Sequence, residues 1–178
     1  NLLDDSLCAV NPNFYHRLYR SSGTDAAALA MFFDPAADGN WTDEAHWDAS
    51  NRWNYLGLST NGAGLGMSTV TVQGVNNFVP EPFALARRRF TVDAGPSASI
   101  VEGQSVTLDP TISTTNFDSL VWTPGQSLDC PTCENAVATP ASTTLYVLNV
   151  TDGGCTASDS VLITILNTDL LIPTAFSP

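Results

Sequence analysis

Lysine is absent from the 178-residue chain, and six arginines face 18 acidic residues for a formal net charge of −12. So few cations leave nothing to neutralise phosphates, which excludes nucleic acid as a partner. An anionic membrane surface is disfavoured for the same reason. Helical periodicity is nearly absent, and no apolar run approaches the ~20 residues of a membrane-spanning helix, which excludes membrane insertion. No basic-then-apolar leader opens the chain, so Asn1 reads as the start of a processed or excerpted piece. His16 and His46 are the only histidines, and neither accompanies a Ser at a nucleophile elbow. With no acid, base and nucleophile to bring together, the expectation is that the chain is not an enzyme.

What the chain has in quantity is Thr, Ser, Asn, Gly and Pro between short apolar runs. Hydrophobic residues make up 43% of it, enough for a core, and its length suits one large or two small domains. The expected class is all-β with many short strands. Alternation with period two is plain in three late runs: Leu120 and Trp122; Tyr146, Leu148 and Val150; Val161, Ile163 and Ile165. Each set lies on one strand face and can pack on a facing sheet. Thr123-Pro124-Gly125, the Thr139–Ser142 segment and the Thr151–Gly154 segment supply the turns between them.

The earlier half reads less evenly. Asn1 to Asn13 reads as an arm or loop. Phe14 to Arg20 alternates and is expected as a strand. Ala27 to Phe33 is apolar on both faces and ends at Asp34-Pro35, which predicts a buried central strand. Residues 34–44 form an acidic loop. Glu44–Asp48 and Arg52–Leu58 are expected as two strands around the turn 48–51. Asn61–Gly66 reads as a flexible loop, Met67–Gly74 as a strand with Val70 and Val72 on one face, and Phe83–Val92 as the last strand. That makes about six strands where a sandwich of this kind uses about seven to nine. A strand is then missing, or a neighbouring chain supplies one.

Four cysteines allow three pairings. Cys130-Pro-Thr-Cys133 lacks the second CxxC or His pair of a zinc site, and no βαβ setting marks a redox motif, so it reads as a local structural disulfide formed in an oxidising compartment. Cys8 and Cys155 are left over. Pairing across the domains, pairing between chains and remaining free are all open for them.

Several residue groups invite a chemical role. Asp34, Asp38 and Asp43 offer oxygens to Ca²⁺, although their spacing matches no EF-hand loop; the plainer expectation is a solvated acidic loop with no cofactor. His46, between acidic neighbours, reads as an ordinary strand histidine. Gly62 to Gly66 lacks the Lys and helix of a phosphate loop. Trp41, Trp47 and Trp53 are close in sequence. Their alternation suggests core positions first, and a sugar-stacking face second.

Two stretches resemble known families. The order FFDP…AHWD…RWNYLG…STVTVQGVNNFVPEPFALA, over residues 14–90, resembles a β-sandwich found near the C-termini of large secreted Bacteroidota proteins. Residues 98–165, with their W.P, C..C and GC.asdsv elements, resemble the PKD-like, immunoglobulin-like repeats of surface proteins from the same group. That family often pairs the Cys of its Gly-Cys turn with a Cys near position 101; here Val101 stands in that region and Cys155 lacks that partner. A Cys8–Cys155 bridge is the alternative this suggests, within one chain or between subunits. The end, NTDLLIPTAFSP, resembles the linker before a type B sorting domain of the type IX secretion system, and the sorting domain itself does not follow.

These resemblances imply two tandem β-sandwiches, residues 1–92 and 93–167, the second Ig-like or PKD-like, then a linker at 168–178. They imply an extracellular location on the outer surface of a bacterium and handling by the type IX secretion machinery. Asp-Ser-apolar triplets at Ser6, Ser119 and Ser160 fit the O-glycosylation sequon of the same bacteria. The expected function is a subunit of a surface fibre, filament or adhesin stalk that associates with itself or with other surface proteins. The alternative is a carbohydrate-binding accessory module of a secreted enzyme.

Overall fold

A computed structural model describes residues 2–78 and 80–167. It is all-β apart from one short helical turn, and the chain divides into two compact units. The first comprises residues 1–90 together with Asp152–Cys155; the second comprises the remainder of 91–178. Among the described residues no helix is long and apolar enough to cross a membrane.

The described residues of the first unit form seven strands: β1 (Leu7–Val10), β2 (Ala27–Phe33), β3 (Asp43–Trp47), β4 (Trp53–Tyr55), β5 (Ser59–Gly64), β6 (Met67–Val75) and β7 (Phe83–Arg88). They form two sheets, ordered β1-β7-β3-β4 and β2-β6-β5. Residues alternate across each strand, so each sheet presents one set inward. Met31 and Phe33 of β2 and Val70, Val72 and Val75 of β6 pack on Phe83 and Leu85 of β7. The other face of the four-stranded sheet is covered as well: Ala45 and Ala86 are fully buried under Leu7, with Leu3, Val10, Trp53 and Tyr55 around them.

Five expectations for this unit need correction. The N-terminal arm supplies a strand, β1, which pairs with β7. Phe14–Arg20 forms none; its one ladder contact is an isolated bridge between His16 and Phe83. Ala27–Phe33 is a strand, but at a sheet edge and buried on one face only, with Phe32 41% exposed. Residues 61–64 belong to β5, hydrogen-bonded in register with β6, because a tight turn at Leu65-Gly66 folds the Gly-rich run back as a hairpin. Within the acidic loop, Pro35–Asp38 makes a single helical turn (α1) capped by the Asp34 carboxylate, which accepts from the Ala36 N–H at 3.0 Å.

The second unit is again all-β. Its strands are β8 (Val92–Asp93), β9 (Ala98–Val101), β10 (Val106–Thr107), β11 (Thr111–Ile112), β12 (Ser119–Thr123), β13 (Val137–Ala138), β14 (Thr144–Asp152) and β15 (Cys155–Leu166), the Asp152–Cys155 turn between the last two belonging to the first unit. The main sheet runs β12-β14-β15-β9, and the pairs β10-β13 and β11-β8 complete the fold. Register places Trp122 opposite Leu148 and Leu120 opposite Val150. These join Leu108, Tyr146, Val161 and Ile163 in the core, while Val106 is half-buried. Trp122 donates its indole N–H to the Cys133 carbonyl at 3.1 Å. The Cys130–Cys133 disulfide therefore belongs to the loop that caps the tryptophan. At the start of this unit Gly95 has φ +88°, and a Cβ there would meet the Asp109 carbonyl oxygen at 2.8 Å.

Cys8 and Cys155 form the second disulfide, within one chain and with Cα atoms 5.6 Å apart. This is the long-range pairing left open above, made within one chain. In the same first unit, buried Arg87 pairs with Asp152 and donates from Nε to the Asn40 carbonyl at 2.6 Å. A buried guanidinium is tolerated only with such partners.

Two ionisable residues face inward with less support. Glu44 pairs in register with Leu85, and His46 with Phe83, so both side chains point between the sheets. Glu44 is 0% exposed, and neither carboxylate oxygen has a hydrogen-bond partner. Burial pushes its carboxyl up to about 8, only partly offset by the Met31 backbone. The His46 ring stacks on Phe83 with centroids 4.2 Å apart. Burial holds it below the usual histidine range, against the Glu81 backbone and carboxylate and Asp48.

Two outcomes are expected. Glu44 keeps its proton in the folded state but loses it near pH 4.5 when unfolded, so stability falls as pH rises from there through about 8. His46 acts below pH 6.5 and in the opposite direction, since only the unfolded chain takes up its proton there. Between pH 6.5 and 8 the Glu44 effect dominates, about 1 to 2 kcal/mol. Denaturant midpoints across that window should decline in the native chain and stay level in Glu44→Gln; parallel declines would contradict the assignment. Removing the Cys8–Cys155 bridge by double Ser substitution should cost far more stability than removing Cys130–Cys133. Loop closure gives about 5 against about 2 kcal/mol, read as thermal midpoints.

A candidate glycan groove on the first unit

The turn between β3 and β4 brings two tryptophans opposite each other. Asp48 organises it: its carboxylate accepts from the Ser50 N–H at 2.9 Å, and its N–H donates to the Arg52 carbonyl at 3.0 Å. Trp47 and Trp53 then pair in register on the outer face of the four-stranded sheet, as Ala45 and Tyr55 do one step along. Their rings meet edge to face, with centroids 5.5 Å apart and planes at 77°, which forms an aromatic corner and not a flat platform.

Two further segments wall this corner into a groove of about 500 Å³. One carries Tyr15 and Arg17, two residues apart and on the same side of an extended run. Tyr15 is 57% exposed, and the Arg17 guanidinium lies 6.0 Å from its ring centroid, within cation–π range. The other is the Pro80-Glu81-Pro82 entry to β7. There the Pro82 carbonyl accepts from the Trp47 N–H at 2.9 Å. Two prolines stiffen that wall, because their φ angles are fixed by the ring. Glu81 adds a carboxylate, and its Oε2 is buried without a hydrogen-bond partner.

The third tryptophan lies elsewhere. Trp41 packs against the inner core of the unit and donates its indole N–H to the Asp38 carbonyl at 2.8 Å. Tyr15, Arg17 and Glu81 were not among the sequence candidates. The alternation of Tyr15 and Arg17 in FYHRLYR was the one available signal for two of them.

The acidic candidates do not converge. The Asp34 and Asp38 carboxylates tie off α1, Asp38 accepting from the Asp34 N–H at 2.8 Å. Asp43 is buried and ion-paired with Arg88 at 2.8 Å. Among the described residues no group of three or more His, Cys, Asp or Glu side chains could hold a metal ion. The serines of the three Asp-Ser-apolar triplets, Ser6, Ser119 and Ser160, are all exposed, and each is followed by a buried Leu7, Leu120 or Val161. The expected linker at 168–178 lies outside the described residues.

No protein-family model matches the sequence, and no curated protein does. Among solved structures, the chain is similar to the N-terminal eight Ig domains of Down Syndrome Cell Adhesion Molecule: 10% identity and a TM-score of 0.37 over 88% of this chain, but only 28% of that one. It is similar to a chimeric titin Z1Z2 tandem functionalised with a fibronectin GRGDS peptide, at 11% identity and a TM-score of 0.37, with 88% of this chain and all of that one covered. The N-terminal four Ig domains of a Dscam1 isoform match at 9% identity and 0.39, covering 80% of this chain and 42% of that one.

Proposed function

We propose that the chain is a structural or adhesive module on the outer surface of a bacterium, exported by the type IX route, and that it serves as a subunit of a surface fibre or adhesin stalk. Two disulfides support an oxidising compartment. The acidic, lysine-free composition suits a solvated exterior. The resemblance of residues 98–165 to surface-protein repeats supports the bacterial location. In this reading Ser6, Ser119 and Ser160 are sites of O-glycan display.

The observation that carries self-association is the free edge of β2. It is seven residues long, AALAMFF, with neither charge nor proline, and among the described residues only β6 pairs with it. Such an edge is a template for pairing with another chain unless something blunts it. The opposite edge, β5, is polar and rich in Gly. Alongside β2 the chain leaves open space: cavities of about 270 and 450 Å³ separate it from the segment around Leu18 and Arg20. Addition of a strand from a second copy there joins subunits through backbone hydrogen bonds. The aromatic groove favours a second reading, a carbohydrate-binding accessory module of a secreted enzyme.

Imaging and light scattering separate the two. The fibre reading predicts particles that grow with concentration. It also predicts that Ala28→Lys with Ala30→Lys, both at exposed positions of β2, returns the protein to monomers with an unchanged thermal midpoint. A native chain that stays monomeric at every concentration would sink it.

A further inference from the structure

We propose that the groove walled by Tyr15, Trp47 and Trp53 binds a neutral, pyranose-based polysaccharide. The proposal rests on the second, carbohydrate-binding reading and names its ligand class; fibre formation and groove binding fail separately.

Sugar rings present one face of C–H groups and a rim of hydroxyls. They need an aromatic surface for the first and mixed donors and acceptors for the second. The groove holds both. Trp47 and Trp53 stand at 77° to each other, so a ring stacked on one indole has its edge against the other. Tyr15 extends the aromatic surface from a different segment, and more than half of it faces solvent. Arg17 supplies donors, Glu81 supplies an acceptor, and Pro80 and Pro82 close the wall. The volume of about 500 Å³ falls inside the ~300–1,000 Å³ usual for small-ligand sites.

Charge selects the class. One guanidinium and one carboxylate line the groove and balance, on a chain whose net charge is −12. A polymer of uronic acids meets the Glu81 carboxylate and an acidic surface, with Arg17 as its one counter-charge in the groove. A neutral chain pays no such repulsion. Trp47 and Trp53 are half-buried on the outer sheet face, Trp53 against Leu7 and Ala45, so a ligand meets their free edges while Phe83 and Leu85 fill the inner face.

The test is retention of the protein on insoluble cellulose, xylan, mannan and chitin, with pectin and alginate as acidic polymers and a proline-rich peptide resin as the competing ligand class. The native chain should pellet with at least one neutral polymer. Trp53→Ala and Trp47→Ala should weaken that binding tenfold or more. Trp53 also packs on Leu7 and Ala45, so Tyr15→Ala serves as the variant least able to disturb folding. It should lose affinity several-fold with its thermal midpoint unchanged, while Trp41→Phe should bind as the native chain does. No retention on any neutral polymer, preference for the acidic polymers, preference for the peptide resin, or native binding by Tyr15→Ala would each overturn the proposal.

Discussion

Burial of β7 on both faces is the constraint from which the first unit follows. Five of its six residues are buried. Phe83 and Leu85 fill the space between the sheets, and Ala84 and Ala86 lie against the opposite side. Small side chains on that second face allow Leu7 and its neighbours to approach, which makes the N-terminal arm a strand. The β7 backbone is satisfied by β1 on one side and β3 on the other, as a strand with no access to water requires. Its proline-bounded entry walls the aromatic groove, and Arg87 near its end is the buried cation that meets Asp152.

The same strand explains where ionisable groups had to go. The inward positions of β3 pair with Leu85 and Phe83, so Glu44 and His46 enter an apolar layer. With only the Met31 backbone to offset its burial, the Glu44 carboxyl is held there in its neutral form, because ionisation in that layer costs more than protonation at neutral pH. The outward positions of β3 and β4 hold Trp47, Trp53 and Tyr55. Polar and aromatic residues thus sit on the faces opposite to a simple inside-outside rule. Such an inversion places Trp47 and Trp53 at a groove, with Trp53 and Tyr55 also covering Leu7 and Ala45, while Phe83, Leu85, Val70 and Val72 carry the interior.

Much of the second unit is legible from pattern alone. Leu120 and Trp122, Tyr146 through Val150, and Val161, Ile163 and Ile165 alternate strictly, and each predicted face is the inward one, with Ile165 half-buried at the strand's end. In the first unit pattern serves less well, for physical reasons. β1 is four residues, LCAV, too short for a period to emerge, and it is specified by the alanines of β7 it packs against. Phe14–Arg20 alternates as a strand would, yet only His16 finds a ladder partner. Ala27–Phe33 is apolar throughout, which reads as burial on two sides but here marks an edge. The Gly-rich run at 61–64 looks like a loop because Gly lacks side chains to show periodicity, and its pairing comes from β6. Of the groove, sequence offers two tryptophans; Tyr15 and Glu81 join them only through tertiary packing.

The central claim is that the outer aromatic corner, and not the remaining aromatic surface, is where this chain meets a ligand. The chain has four tryptophans: two in the corner, Trp41 against the inner core and Trp122 at the heart of the second unit. Their indole N–H resonances can be followed by NMR while a soluble neutral oligosaccharide is added. The Trp47 and Trp53 signals should move together and saturate, with Trp41 and Trp122 stationary. Shifts confined to Trp41 or Trp122, or four unmoved signals at saturating sugar, would contradict the account.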